Sequence, residues 1–419
     1  MNGMSMFRKL GIVKEFLSVK DFTCKEALKA YQKEKLAERL ATHGSRFYPN
    51  STKLEDFPII NKKIFMENFD TINTVGISKD EAFKVALASE ESRNFSNKIG
   101  YISVGLSSGT SGSRGLFLVS EEESRRWAGY ILKRMLPKPL LQRHKIAFFL
   151  RANSNLYESV NSLAIKFSFY DLLQPLEEHI ETLNATQPTI LIAPAQVLRL
   201  LALSDDLTIN PKKVISVAEV LEEEDEELIS QRFSQKVHQV YQCTEGFLAH
   251  TCEEGNLHLN EDRVYIEKEW IDEKSGRFSP IISDFFRSSQ PVIRYKLDDI
   301  LVLEKEPCAC GSVFTRLKKI EGRCDDILNV KDKNGVPYLL FPDFVRRAII
   351  RASDKVEEYA VEHREDALHV YLQPLSMKDE VEESLQKLYV EQGLESLEHV
   401  YDAYEMGKLT DKRRRVKQL

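Results

Sequence analysis

With 419 residues, 42% of them hydrophobic and 30% charged, the chain is long enough for two domains and a sizeable core, and its composition is that of a globular protein. A formal net charge of -6 argues against a general nucleic-acid binder, which carries a basic excess. No apolar run reaches membrane-spanning length and the first residues lack the apolar stretch of a secretory signal, so the cytoplasm is expected and a membrane partner is not.

The first hundred residues read as mostly helical, with charged stretches such as Lys33-Glu34-Lys35, and are expected to cover a sheet. Two apolar runs, 101–106 and 115–119, read as strands on either side of Ser107-Ser108-Gly109-Thr110-Ser111-Gly112. Small residues with clustered hydroxyls and amides can wrap phosphate oxygens, because each group donates to an anion. No Lys follows Gly112, so the loop is not a Walker A, and a plain solvated turn is the alternative.

Ser120 with Glu123 forms a capping box that starts a helix directly after the second strand. From there the pattern alternates: strand 144–150, helix 177–185, strand 189–192, helix 196–203, strand 213–217, helix 222–233. Such alternation predicts a largely parallel sheet covered by helices. The acidic run 222–227 suits a solvated helix start and receives no function. After Arg323 the sequence changes to short strands and helices ending in a basic tail, which predicts a separate small domain over 324–419 beside a large one over 1–323. The fold class expected is therefore α/β, with a large N-terminal domain of mainly parallel, helix-covered sheets and a small α+β C-terminal domain.

Further segments follow in order: Tyr241-Gln242-Cys243-Thr244-Glu245-Gly246, Arg294-Tyr295-Lys296-Leu297-Asp298-Asp299, Gly322-Arg323-Cys324-Asp325-Asp326 and Gly407-Lys408. With the Ser/Gly loop, this series resembles the core motifs of the adenylate-forming superfamily, and in particular its phenylacetate-CoA ligase branch. Two more segments extend the likeness over most of the chain. Asp56-Phe57-Pro58-Ile59-Ile60-Asn61-Lys62 is similar to that branch's opening segment, and Val217-Ala218-Glu219-Val220-Leu221 to its adenine-side Gly-Glu motif, with Ala218 in place of Gly.

The resemblance implies a two-step reaction. A small-molecule carboxylate attacks the α-phosphate of ATP, pyrophosphate leaves, and the acyl-adenylate passes its acyl group to a thiol or amine. It implies that Lys408 is the cation at the α-phosphate; the competing reading makes it part of a basic tail with Lys412, Arg413, Arg414, Arg415 and Lys417. It further implies Glu245 as the Mg²⁺ partner, Thr244 on phosphate, Tyr241 with Gln242 and Ala218-Glu219-Val220 at the adenine, Asp299 on the ribose hydroxyls, Arg323 at ribose or phosphate, and Asp325 as the hinge. The acyl pocket falls to Phe148, Phe149, Asn153, Tyr157, Ala218 and Gly246, with only one of the adjacent Phe148 and Phe149 able to face it. A modest aromatic or short acyl group is expected.

Two departures from the family pattern bear on this. The loop continues Ser113-Arg114-Gly115 where the family has Pro and a basic residue, and the turn at 330–337 lacks the family's compact Gly-containing form. Both CoA and an acyl carrier protein stay open as acceptor. Members of the family are often dimers, which sets a homodimer as an expectation.

Cysteine spacing supplies a second site. Cys252 and His258 share one segment, and Cys308-Ala309-Cys310-Gly311 forms a tight turn later, while Cys24 and Cys324 stand apart. One His and three Cys fill the four positions of structural Zn²⁺, with Cys243 as a competing ligand and coincidence as the alternative. Three function classes follow: an adenylate-forming ligase, a non-catalytic nucleotide or acyl-adenylate binder, and a zinc-braced binding module resting on the Cys cluster and Arg413 to Arg415.

Overall fold

The structure is a computed structural model that describes residues 3–107, 114–137, 142–151, 164–365, 367–409 and 411–419. The chain divides into two compact units, the first made of residues up to Leu297 with Leu303–Lys319, the second of Asp298–Val302 with Ile320–Leu419.

In the first unit the strands Ile165–Asp171, His144–Leu150, Ile190–Ala193, Lys213–Val217 and Val237–Cys243 lie side by side and parallel. Helices Leu176–Thr186, Ala195–Leu203 and Glu223–Phe233 make the crossovers. The strand sequences explain the arrangement. His144–Leu150 (HKIAFFL) is buried along most of its length, the near-continuous apolar run that a strand covered on both faces requires. The helix Glu223–Phe233 opens on four acidic residues, favourable at the positive end of its dipole, and closes on Ser234 in the left-handed conformation. The capping box at Ser120 and Glu123 is formed and starts the helix Glu121–Met135.

Beyond Val237–Cys243 the sheet continues antiparallel through Gly246–Thr251 and Leu257–Leu259, which pairs with the start of Arg316–Arg323. A long hairpin, Val264–Asp272 with Arg277–Asp284, carries Tyr295–Lys296 on its flank. A separate three-stranded antiparallel sheet comprises Lys98–Ile99, Ile102–Leu106 and Leu116–Val119. The second unit is α+β. A four-stranded sheet runs in the order Glu398–Ala403, Ala367–Gln373, Glu358–Arg364, Val416–Gln418, with helices Pro342–Ala352 and Lys378–Gln392. Val345, Ile349, Val361, Leu368, Val370, Val381 and Leu385 are fully buried in its core. No helix among the described residues is long and apolar enough to cross a membrane.

Candidate functional site

The two strands that flank the Ser/Gly loop are tied at its neck. Leu106 lies opposite Leu116, the Ser107 amide donates to the Gly115 carbonyl at 2.7 Å, and the Gly115 amide donates to Ser107 Oγ at 2.7 Å. Phe117 lies against Gly105, where a Cβ would sit 2.1 Å from Cζ of the ring, so any larger residue would push the aromatic away. Arg114, the first described residue after the loop, pairs with Glu90 and donates from Nε to the Ser107 carbonyl at 3.4 Å. Ser108, Gly109, Thr110, Ser111 and Gly112 lie outside the described residues, as do Asn153 and Tyr157.

Thr244 and Glu245 form the turn between Val237–Cys243 and Gly246–Thr251, with Cys243 opposite Gly246. Thr244 Oγ1 donates to Glu245 Oε2 at 2.7 Å. Arg287 fastens this turn to the loop's second strand. Its Nη1 donates to the Thr244 carbonyl at 2.5 Å and its Nη2 to the Leu118 carbonyl at 3.0 Å. Gln290 Oε1 accepts from that Nη2 at 3.2 Å and from the Leu118 amide at 3.0 Å. A cleft results, walled by Lys62, Gly115, Phe117, Thr244, Glu245 and Arg287 among others. It brings two cations, one carboxylate and a hydroxyl together beside the loop's neck.

Glu123 holds this clamp in place from behind. Oε1 accepts the Ser288 and Ser289 amides at 2.7 and 3.0 Å, and Oε2 accepts the Ser120 amide at 2.6 Å and the Ser289 hydroxyl. Burial pushes its carboxyl upward, but the Arg287 charge and the Ser289 and Ser120 hydrogen bonds outweigh burial and hold it below the ordinary value. A carboxyl depressed in the folded state stabilises the fold above its unfolded pKa and loses that contribution as pH falls through the folded value. With Glu123 only 9% exposed, Glu123→Gln is expected to cost about 2–3 kcal/mol at neutral pH, because three amides and a hydroxyl lose an ionised acceptor. Thermal unfolding measured from neutral pH down to about pH 3 checks this, since the gap between the two proteins should close in acid.

Tyr241 is buried, and the sheet register slips between it and Gln242, whose Oε1 accepts from Trp127 Nε1 at 3.0 Å. Ala218 has φ +67, a left-handed backbone that favours glycine, at the position where the resemblance expects Gly. Glu219 Oε2 accepts the Gln196 amide at 3.0 Å, so its carboxylate meets the N-terminus of Ala195–Leu203; Val220 is half-buried. Phe148 packs with Phe167, ring centroids 5.4 Å apart, while Phe149 faces the other way, stacked on Tyr170 at 4.7 Å and fully buried. A Cβ at Gly246 would come 3.5 Å from Asp284 Oδ2.

The remaining candidates belong to the second unit. Asp299 Oδ1 and Arg323 Nε lie 3.9 Å apart, and the Asp298 carbonyl accepts the Cys324 amide at 2.7 Å. Asp325 and Lys408 are exposed. The basic tail is engaged within the unit: Arg413 and Arg415 approach Glu358 at 3.7 and 3.4 Å, Arg414 pairs with Asp326, and Lys417 meets Glu362 at 2.5 Å.

In the first unit, the ligand atoms of Cys252, His258, Cys308 and Cys310 all lie within 4.8 Å of one another. Cys252 and Cys308 sulfurs are 3.7 Å apart, and Cys310 Sγ is 3.5 Å from His258 Nε2. His258 Nδ1 donates to the Phe314 carbonyl at 3.2 Å, which leaves Nε2 with its lone pair toward the sulfurs. Asn256 Nδ2 and the Ser312 amide donate to Cys308 and Cys310 sulfurs at 3.3 and 3.4 Å, bonds that suit thiolates. Gly311, at φ +74, makes the turn after the Cys-x-Cys pair. The donor set, its tautomer and its spacing fit a tetrahedral divalent ion.

Sequence reasoning did not single out Arg287, Gln290 or Glu123 as a clamp, and treated Lys62 only as part of a segment. Each acts through contacts with residues distant in the chain, which no local spacing reports.

No protein-family model matches the chain. Among curated proteins, it is 26% identical over 242 residues to Protein CapK of Staphylococcus aureus; the matched stretch is 56% of this chain and about half, 51%, of that protein. Among solved structures it is similar to 2-hydroxyisobutyryl-CoA ligase bound to 2-HIB-AMP, with TM-score 0.70 and 16% identity, covering 95% of this chain and 91% of that one. It is also similar to the amide bond synthetase McbA of Marinactinospora thermotolerans, with TM-score 0.53 and 13% identity over 74% of this chain and 68% of that one. The chain has the fold of the adenylate-forming enzymes.

Proposed function

We propose that the protein is an AMP-forming acid-thiol ligase, which activates a carboxylic acid with ATP and passes the acyl group to a thiol. The observation that carries this reading is the fold likeness over nearly the whole chain to a ligase held with an acyl-adenylate, joined to a cleft in which Thr244, Glu245, Lys62 and Arg287 adjoin the neck of the Ser/Gly loop. The likeness to McbA keeps an amine in view as acceptor beside CoA and a carrier protein.

On this reading the phosphates lie against the loop from Ser107 to Gly112, with the Thr244 hydroxyl as a further donor. Glu245 would hold Mg²⁺, which supplies positive charge to phosphate oxygens when bound. Tyr241, Gln242 and the segment from Ala218 to Val220 serve the adenine, Asp299 the ribose, and Arg323 the ribose or a phosphate. Lys408 meets the charge that builds as the substrate carboxylate attacks, and Asp325 is the hinge between the half-reactions. Phe148 and Gly246 flank the acyl group; the large domain ends at Arg323. Cys252, His258, Cys308 and Cys310 would hold zinc with no open position, so that ion braces the fold and leaves the chemistry to the cleft.

The phenylacetate-CoA ligase branch, the cytoplasm and a homodimer belong to the same proposal. The intramolecular pairing of Arg413, Arg414 and Arg415 weighs against a nucleic-acid module, since those charges already face carboxylates. A screen of carboxylic acids, aromatic and short-chain, for acid-dependent ATP–pyrophosphate exchange tests the reading. Exchange with at least one acid is expected; AMP-free silence across the panel would leave a nucleotide-binding protein without catalysis.

A further inference from the structure

Lys408 lies on a stretch, 404–415, that joins two strands of the second unit. At its start the Tyr404 amide donates to the Leu372 carbonyl at 3.0 Å, and at its end the Val361 amide donates to the Arg415 carbonyl at 2.7 Å. Lys408 itself is exposed, and its carbonyl accepts the Asp411 amide at 2.9 Å. Both ends of the stretch are thus fastened to strands of the unit's sheet. The last three residues before Val416–Gln418 are all arginines, and their side chains reach two different partners. Arg413 and Arg415 go to Glu358, and Arg415 also lies over the Tyr359 ring at 4.5 Å. Arg414 goes to Asp326, where Nε donates to Oδ1 at 2.8 Å and Nη2 meets the same oxygen.

Asp326 directly follows Asp325, the hinge residue of the proposed function, and is only 5% exposed. A buried carboxylate that loses the Arg414 fork keeps only the smaller help of the Arg323 backbone and charge, so the segment that carries it shifts or takes up a proton. Resting on the ligase reading, we infer that the Arg414–Asp326 ion pair is a strut between the hinge segment and the Lys408 stretch. Arg414 and Asp326 are thereby positioning residues for the adenylation half-reaction. The planar guanidinium fixes both distance and direction, which a single-point ammonium does not. Acyl transfer, which does not use Lys408, is indifferent to the strut.

The test compares Arg414→Gln, Arg414→Lys and Asp326→Asn with the unaltered full chain. In Arg414→Gln the kcat of pyrophosphate exchange is expected to fall about tenfold or more, with the KM for ATP changed less than about twofold. Transfer from a supplied acyl-adenylate to thiol should stay level. Arg414→Lys should recover part of the loss, and Asp326→Asn should repeat the split. Cleavage by trypsin after Lys408, followed by mass spectrometry, gives a readout free of activity and should quicken in Arg414→Gln. Equal losses in both half-reactions, or an unchanged cleavage rate, would overturn the inference. Should the unaltered chain exchange with no acid, the ligase reading fails, and the cleavage comparison still decides whether the strut exists.

Discussion

Replacing Lys408 with Ala is expected to lower acid-dependent pyrophosphate exchange by about two to three orders of magnitude, the loss seen when one preorganised donor to developing charge is removed. The melting temperature should not move, because Lys408 is exposed on a stretch held at its ends by Leu372 and Val361. Two readings of this residue compete, a catalytic ammonium and one more charge in a basic tail. Arg413, Arg414, Arg415 and Lys417 each face a carboxylate of the same unit, whereas Lys408 precedes that paired run. Lys412→Ala is the control: as a tail residue it should leave exchange within about twofold, the scale of a surface charge. Equal, small effects of the two substitutions would return Lys408 to the tail. Loss of exchange in Lys408→Ala with acyl transfer from a supplied adenylate retained would assign it to the first half-reaction alone.

Much of the parallel sheet is legible in the sequence, because strands buried on both faces read as unbroken apolar runs and the helices between them carry start and stop signals. The strands His144–Leu150 and Lys213–Val217 fall on the expected residues, and Ile190–Ala193 is displaced by one. Ile165–Asp171 escapes the reading: at the edge of the sheet its pattern mixes Lys, Ser and Tyr with apolar residues. The hairpin Val264–Asp272 with Arg277–Asp284 escapes for a related reason, since Glu267, Lys268 and Glu269 sit consecutively inside its first strand. Charged residues in mid-strand are tolerated there because neighbours across the sheet answer them, as Arg294 answers Glu267 at 2.9 Å and Lys296 answers Glu269.

The same distinction holds at the site. Thr244-Glu245 is readable as a turn between strands, and Cys308-Ala309-Cys310 as a pair of candidate metal ligands, because both are local. Arg287 reaching Leu118, or Glu123 reaching Ser289, are interactions across more than a hundred and sixty residues, evident only once the chain has folded. Arg114 shows the converse. It stands where the family pattern has Pro and a basic residue, a place that leaves its role open in the sequence, and in the structure it is engaged by Glu90 and the Ser107 carbonyl.

Removing zinc should destabilise the first unit by about 4 kcal/mol, the linkage expected for an ion present at a thousandfold over its dissociation constant. Elemental analysis of the purified protein should find one zinc per chain, and Cys308→Ser should abolish it. The structure says where the effect will spread. Phe314, whose carbonyl orients His258, packs against Phe22 at 6.2 Å and beneath Arg134 at 5.3 Å. Next to it, Thr315 donates from its amide and hydroxyl to Glu261 at 2.5 and 3.0 Å, and Gln32 donates to the Glu261 carbonyl at 3.0 Å. Three sulfurs this close repel as they ionise. Burial and the neighbouring sulfurs together push the Cys310 thiol up to about 12, so without a cation the cluster has to hold protons or spread. Spreading would slacken the turn at 308–311 and, through Phe314 and Thr315, the docking of the helix Lys25–Thr42. Amide exchange after chelation should therefore rise at 252–258, 308–315 and 22–32, and stay level in the strands Glu358–Arg364 and Ala367–Gln373 of the second unit, whose core is separate. A purified protein free of zinc, or a Cys308→Ser variant that melts with the unaltered chain, would reduce the cluster to three cysteines and a histidine in chance proximity.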